Sequence, residues 1–186
     1  MEQTGQATAL SDEMDAEMAQ LAVVLFEHVE GQIAQADTKA QLTLAADTLL
    51  AAALTLAGRG AGLRLLDPAA ALPERLGGGL GLLSFLALVI SVYLALVAAR
   101  PRLTVAGQRR SLFYFGHIAQ VREAEFIREF QDSTALELRV SLLAQVHSKA
   151  VIAQRKFASV RGSISFLIAA LVLWAVMQIA LAFVAP

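Results

Sequence analysis

The chain has no cysteine, which excludes a disulfide framework and leaves no thiolate to act as nucleophile or zinc ligand. Its three histidines, at 28, 117 and 147, match no short metal-binding spacing. Also missing are a Gly-rich phosphate loop of the Walker or dinucleotide type, a nucleophile elbow, and a carboxylate pair beside a histidine in a plausible soluble pocket. Together these absences predict a protein that is not an enzyme and carries neither metal nor cofactor. A fourth absence is of charge: Leu76 to Ala99 and Gly162 to Pro186 contain no Asp, Glu, Lys or Arg over 24 and 25 residues.

A hydrocarbon core about 30 Å thick is crossed by roughly 20 residues of helix, so each uncharged stretch is long enough to span a bilayer with some tilt. Composition agrees, because 57% apolar residues and a mean hydropathy of +0.61 exceed what a soluble domain of 186 residues carries. A third apolar stretch, residues 40–58, contains Asp47. A carboxylate at a helix centre costs about 2.5 to 3.5 kcal/mol on insertion scales, and Asp47 lies only two turns beyond Lys39, toward the membrane boundary, where that cost falls. The expectation is an all-α membrane protein with three transmembrane helices, at 40–58, 76–99 and 162–186, joined by an external loop at 59–75. A cytoplasmic helical bundle is expected to form from extensions of the first and third spans, with residues 11–39 an amphipathic helix and 1–10 a flexible N-terminus.

The net charge of −1 conceals two opposite halves. Residues 1–39 hold eight acids against Lys39 alone, whereas 100–161 hold eleven bases against five acids. Residues 59–75 contain only three bases, so the positive-inside rule puts 100–161 in the cytoplasm, the N-terminus inside and the C-terminus periplasmic or external. The acidic N-terminus lacks the basic and apolar regions of a cleaved signal peptide, so the first helix is expected to persist in the mature protein. The bases flank membrane segments, which accounts for them through topology and contact with membrane lipids, not through nucleic acid.

Local signals refine the elements. Ser11 followed by Asp12 and Glu13 reads as a helix start, and Met14, Met18, Leu21, Leu25, Val29, Ile33, Ala36 and Ala40 form one apolar stripe leading into the first span. The prolines at 68 and 73 and the glycines around them mark the external loop, and Pro101 ends the second span. Residues 103–106 fit a short strand, and a charged helical run extends through Phe130. Thr134 with Glu137 forms a capping box before a helix that meets no proline until Pro186. On that helix Leu136, Val140, Leu143, Val146 or His147, Ala150 and Phe157 run along one side. Small residues in the spans favour helix association: Ala51 to Ala53, Gly77 to Gly81, and Ala169, Ala170 and Ala175.

Basic and aromatic side chains of the cytoplasmic part suit an anionic ligand containing a ring. Phe113, Tyr114, Phe115 and His117 are candidates to stack on the ring, and Lys39, Arg109, Arg110, Lys149, Arg155 and Lys156 to meet a phosphate. Each has a structural alternative. Asp37 and Lys39 either fix the helix at the membrane boundary or contact ligand or a neighbouring subunit. Phe113, Phe115 and Ile118 serve equally as core, His147 as a packing residue, and Arg155, Lys156 and Arg161 as topology determinants. Asp47 either accepts a hydrogen bond from Ser or Thr within the bundle or lines and gates a pore.

Three of these stretches also carry a family likeness. Asp37-Thr-Lys-Ala40 before the first apolar helix, Leu112-Phe-Tyr-Phe-Gly-His-Ile-Ala119 after the second, and Gln145-Val-His-Ser-Lys-Ala-Val-Ile-Ala-Gln-Arg-Lys-Phe157 before the third resemble the transmembrane effectors of Pycsar systems. The resemblance runs from about Leu21 to Phe183. It departs at Asp47, where a small or amide side chain would be expected. It implies a bacterial inner-membrane effector in which cyclic CMP or cyclic UMP, made by a neighbouring pyrimidine cyclase on phage infection, triggers membrane impairment and abortive infection. A homo-oligomer is expected, with Lys39, Arg109, Arg110, Phe113, Tyr114, His117, His147, Lys149, Arg155 and Lys156 as candidate ligand contacts and Asp47 as the gating candidate. Two other classes remain open on the residues alone: a membrane scaffold, and a small channel subunit that works without nucleotide.

Overall fold

A computed structural model describes residues 2–57, 69, 71–100 and 111–182. All regular structure among the described residues is helical: α1 (Glu2–Ala57), α2 (Leu72–Ala99), α3 (Phe115–Ile118), α4 (Glu123–Asp132) and α5 (Ala135–Ala182). Two of these, α2 and α5, are long and apolar enough to cross a membrane. The 103–106 strand lies outside the described residues, as do most of the external loop and residues 183–186.

Helix α1 starts nine residues before Ser11, which therefore sits inside the helix and not at its cap. Helix α2 starts earlier as well. Pro73 occupies its first turn, where a missing N–H costs nothing because the first amides have no intrahelical partner, so Pro73 belongs to the helix and not to the preceding loop. Glu74 complements the dipole at that end. The other end is as expected: Arg100 is extended (φ −61°, ψ 132°), because Pro101 disfavours the α conformation in the residue before it. Helix α5 opens on the capping box. Glu137 N donates to Thr134 Oγ1 at 3.3 Å, and Glu137 Oε2 accepts from Thr134 N and Oγ1, each at 2.8 Å.

The chain divides into two compact units, Met1–Ala34 with Pro101–Gln154, and Gln35–Arg100 with Arg155–Pro186. In the second unit, α1 and α2 pack along seams of alternating four- and three-residue spacing, and α5 along one spaced four, three and then seven residues. Ala36, Ala40, Thr43, Asp47 and Leu50 are buried on α1, Ser84, Leu88, Ser91, Ala95 and Ala98 on α2, and Lys156, Val160, Ser163, Ala170 and Met177 on α5. A period of 3.5 instead of 3.6 keeps each seam facing its partners only if the helices coil around one another left-handedly. Small side chains allow close approach. A Cβ at Gly77 would meet Leu181 Cδ2 at 3.0 Å, and one at Gly81 would meet Met177 Sδ at 3.1 Å. Ala170 is such a contact, whereas Ala169 and Ala175 face outward. Gly162, in mid-α5, does not interrupt the helix and lies against Leu94, 3.0 Å from where its Cβ would be.

Among the described residues of the first unit, Ala22, Leu142, Val146 and Ala153 are the buried apolar ones. Of the two stripes read in the sequence, Val146 and, in the second unit, Ala36 and Ala40 are buried, and Val29, Ile33 and Phe157 are half-buried. Met14, Met18, Leu21 and Leu25 on α1, and Leu136, Val140 and Leu143 on α5, are all exposed. His147 is exposed too, so it is not a packing residue. Leading into α3, Ser111 is buried; its Oγ lies 3.0 Å from Ser141 Oγ of α5 and accepts from Phe113 N at 3.2 Å.

Candidate functional site

The expected ligand contacts fall into both units. Phe113, Tyr114, His117, His147 and Lys149 belong to the first, and Lys39, Asp47, Arg155 and Lys156 to the second. Arg109, Arg110 and the side chain of Phe115 lie outside the described residues.

In the first unit the segment from Ser111 turns tightly over α3. Tyr114 O accepts from His117 N at 2.9 Å and from Ile118 N at 3.0 Å, and a Cβ on Gly116 would stand 2.6 Å from Tyr114 Cε1. Glycine at 116 is thus what lets the Tyr114 ring lie against its own turn. His117 is half-buried, and its buried Nε2 has no hydrogen-bond partner. On α5, Ser141 anchors this segment, and one turn further Gln145 is buried with its Nε2 also unpartnered. An unpaired polar atom in a dry environment costs about 1–3 kcal/mol, so both groups are poised to gain from a polar ligand. One turn beyond Gln145, Lys149 pairs with Glu30 of α1 and lies 3.9 Å from the centroid of the Phe26 ring. Its side chain keeps 23% of its exposure and that of Glu30 51%, so this pair is partly open to water.

The second unit treats its basic residues differently. Lys156 is buried and donates to Asp37 Oδ1, so it is neither a lipid-facing topology charge nor an open cation. Lys39 is exposed, with its Nζ 5.4 Å from the Phe157 centroid, and Arg155 is exposed. Asp47 is buried in the three-helix seam. Ser91 Oγ lies 3.1 Å from Asp47 Oδ2, 2.9 Å from Ser163 O and 3.2 Å from Ser163 Oγ, while Ser163 Oγ donates to Ser91 O at 2.9 Å. Ser91 has one proton and three acceptor oxygens within reach, so it satisfies only one at a time. Asp47 Oδ1 has no partner. Seven residues earlier on α2, Ser84 Oγ donates to Ala170 O at 2.7 Å. Asp47 therefore makes the hydrogen bond to a bundle serine that was one of its two sequence readings, and one of its oxygens remains unsatisfied.

With long apolar helices carrying these basic and aromatic groups, a family model of the Pycsar effector protein domain matches residues 21–184. The chain belongs to the Pycsar effector family. No curated protein and no solved structure matches it. Family membership makes this a transmembrane antiphage effector and not a cyclase. The match takes in every described candidate residue of the effector and leaves out Met14 and Met18. Among those candidates the sequence reading passed over Gln145, although it lies in the motif quoted above. A glutamine in a helix carries no local sign that it is buried; the only clue was its place four residues after Ser141, on the same helical face.

Proposed function

We propose that this Pycsar effector senses cyclic CMP or cyclic UMP through its first unit and responds by impairing the inner membrane. The observation that carries this reading is two buried, unpartnered polar atoms of the first unit, His117 Nε2 on α3 and Gln145 Nε2 on α5, the latter one turn from Lys149. A cyclic pyrimidine mononucleotide offers ring atoms that hydrogen-bond and a single phosphate charge. His117 and Gln145 meet the base, Tyr114 and Phe113 supply aromatic surface, and Lys149 meets the phosphate.

Switching follows from exchange at Lys149. In the resting state its charge is balanced by Glu30, in a half-exposed pair of the kind worth about 0–1 kcal/mol. A phosphate that takes the place of the Glu30 carboxylate frees α1 from α5 at that level. A ligand shifts a packing equilibrium only by its difference in affinity for the two states, and this exchange supplies such a difference. Helices α1 and α5 are each unbroken from the first unit into the second, so a change in their packing reaches the apolar seams directly. In this reading α1 supplies a third span at 40–58, residues 100–161 are cytoplasmic with the N-terminus, the C-terminus is external, and the effector works as a homo-oligomer without catalysis. Asp47 is the group whose seam opens.

Isothermal calorimetry of the detergent-solubilised chain tests the sensing step. Saturable binding of one of the two nucleotides is expected, weakened at least tenfold in His117→Ala and Gln145→Ala. Absence of saturable binding to both nucleotides overturns the reading and returns the chain to a scaffold or a nucleotide-independent channel subunit.

A further inference from the structure

The polar node of the second unit is one proton short. The two threonines within a turn of Asp47 on α1 have committed theirs: Thr43 Oγ1 donates to Lys39 O and Thr48 Oγ1 to Leu44 O, each at 2.8 Å. Across the seam, Ser163 Oγ gives its proton to Ser91 O at 2.9 Å. A repeat assigns the proton of Ser91. Ser84 and Ser91 are seven residues apart on α2, and Ala170 and Ser163 seven apart on the antiparallel α5. Ser84 Oγ to Ala170 O at 2.7 Å and Ser91 Oγ to Ser163 O at 2.9 Å are therefore the same contact made twice, an α2 hydroxyl donating to an α5 carbonyl. The 3.1 Å contact between Ser91 Oγ and Asp47 Oδ2 is then left without a proton from either serine.

No cation balances the carboxyl either. Asp47 is 1% exposed, and its Oδ1 has no partner. Facing it are Ser91 from α2 and Ser163 from α5, both uncharged. Lys156 is buried on α5 but pairs with Asp37, ten residues or about 15 Å along α1 from Asp47. Lys39, Arg100, Arg155 and Arg161 are exposed, as is Tyr93, and Glu74 and Arg75 lie more than four turns of α2 from Ser91. A buried carboxylate is normally balanced by a cation or by donors on both oxygens, and among the described residues Asp47 has neither.

We propose that Asp47 is a proton-binding site: in the closed seam it is a neutral carboxylic acid whose Oδ2–H donates to Ser91 Oγ. Three protons then serve three contacts, Asp47 to Ser91, Ser91 to Ser163 O, and Ser163 to Ser91 O. One chain of hydrogen bonds thus ties α1, α2 and α5 together. Oδ1 is left as a neutral carbonyl oxygen, whose missing partner costs less than that of a charged one. When the seam opens to water, the Oδ2–H bond breaks, its electron pair stays on the carboxylate and the proton passes to water. The closed seam holds one proton more than the open one, so raising the pH favours opening. This release step rests on the reading that the seam opens; the proton of the closed seam does not.

Infrared spectra of the full-length effector, reconstituted in lipid vesicles at neutral pH without nucleotide, read the site directly, because a protonated carboxyl has a C=O band apart from those of carboxylates. The expected result is an acid band that Asp47→Asn removes and that Ser91→Ala moves to higher frequency through loss of the donated hydrogen bond, with circular dichroism unchanged in both. Carboxylate bands alone overturn the proposal. So do Asp47 bands that differ between sodium and choline buffers, which assign the site to a metal cation, and an acid band that Ser91→Ala leaves unmoved. With cyclic CMP and cyclic UMP added in turn, the nucleotide that releases dye is expected to reduce the acid band at least twofold. The concentration of that nucleotide needed for half-maximal release is expected to fall with rising pH more steeply in wild type than in Asp47→Asn, by up to tenfold per pH unit. Dye release with the acid band intact overturns the release step. The resting spectra need no nucleotide and calorimetric binding needs no proton at Asp47, so the two readings fail separately.

Discussion

Lys156 of α5 donates a hydrogen bond to Asp37 of α1, and the two partners differ in burial: the lysine side chain retains 5% of its exposure, the aspartate 36%. That asymmetry sets which partner can be removed. Asp37→Ala leaves an ammonium group in the seam without compensation, whereas Lys156→Met leaves a carboxylate that water can reach. Asp37→Ala is expected to destabilise by about 2–4 kcal/mol and Lys156→Met by less than half as much. Thermal unfolding of the two single variants and the double variant in detergent measures the difference and the coupling. Equal losses would show that the burial of the two side chains does not govern the pair.

Arg155, next to Lys156 but exposed, carries no such structural duty. Arg155→Ala is expected to leave the unfolding free energy unchanged within about 0.5 kcal/mol, as surface substitutions usually do. If it also contacts phosphate, nucleotide-triggered dye release from liposomes falls; unchanged release and binding assign Arg155 to topology and lipid contact.

Ser91 and Asp47 form the polar node of an otherwise apolar three-helix seam. Replacing Ser91 by Ala removes the one hydroxyl that can donate to Asp47 or to Ser163 O while keeping the volume small enough for close packing. If opening of this seam is what damages the membrane, Ser91→Ala and Asp47→Ala alter the nucleotide concentration needed for half-maximal dye release by threefold or more. Release at wild-type levels in Asp47→Ala would remove the carboxylate from gating and leave it a packing polar group.

Acid affects the start of α5 in a defined direction. Hydrogen bonds from the backbone N–H and then the hydroxyl of Thr134 hold the Glu137 carboxyl below its ordinary value of 4.5. A group whose folded-state value is depressed contributes stability above its unfolded value and loses that contribution as pH falls through the folded one. Wild-type α5 is therefore expected to fray at its N-terminus as pH drops below about 4.5, the ordinary value for this carboxyl. Glu137→Gln is expected to remove that part of the pH dependence, read as amide hydrogen exchange at residues 135–138. Identical exchange profiles in the two proteins would contradict the role of the capping box.

The legible parts of this sequence are those set by neighbours close along the chain. The Thr134–Glu137 cap, the stop at Arg100 before Pro101, and two apolar helices long enough to span all follow from local chemistry, and all are present. What stayed hidden depends on distant partners. Ala22 and Leu25 both lie on apolar faces of α1, and only packing against α5 decides that Ala22 is buried and Leu25 exposed. Lys156 reads as a juxtamembrane cation because Asp37, 119 residues away, carries no local sign of the pairing. Gln145 is undistinguished until its burial is seen. Pro73 misleads for a different reason: the same residue that marks loops is also well suited to a helix's first turn.

The measurement closest to the central claim is dye release from liposomes of inner-membrane lipid composition containing the reconstituted effector. Cyclic CMP or cyclic UMP is added at increasing concentration, with cyclic AMP as the purine control. The account predicts saturable release with one of the pyrimidine nucleotides, little with cyclic AMP, and a concentration dependence shifted at least tenfold upward in Gln145→Ala. Release that is insensitive to all three nucleotides, or equally sensitive to them, would contradict it.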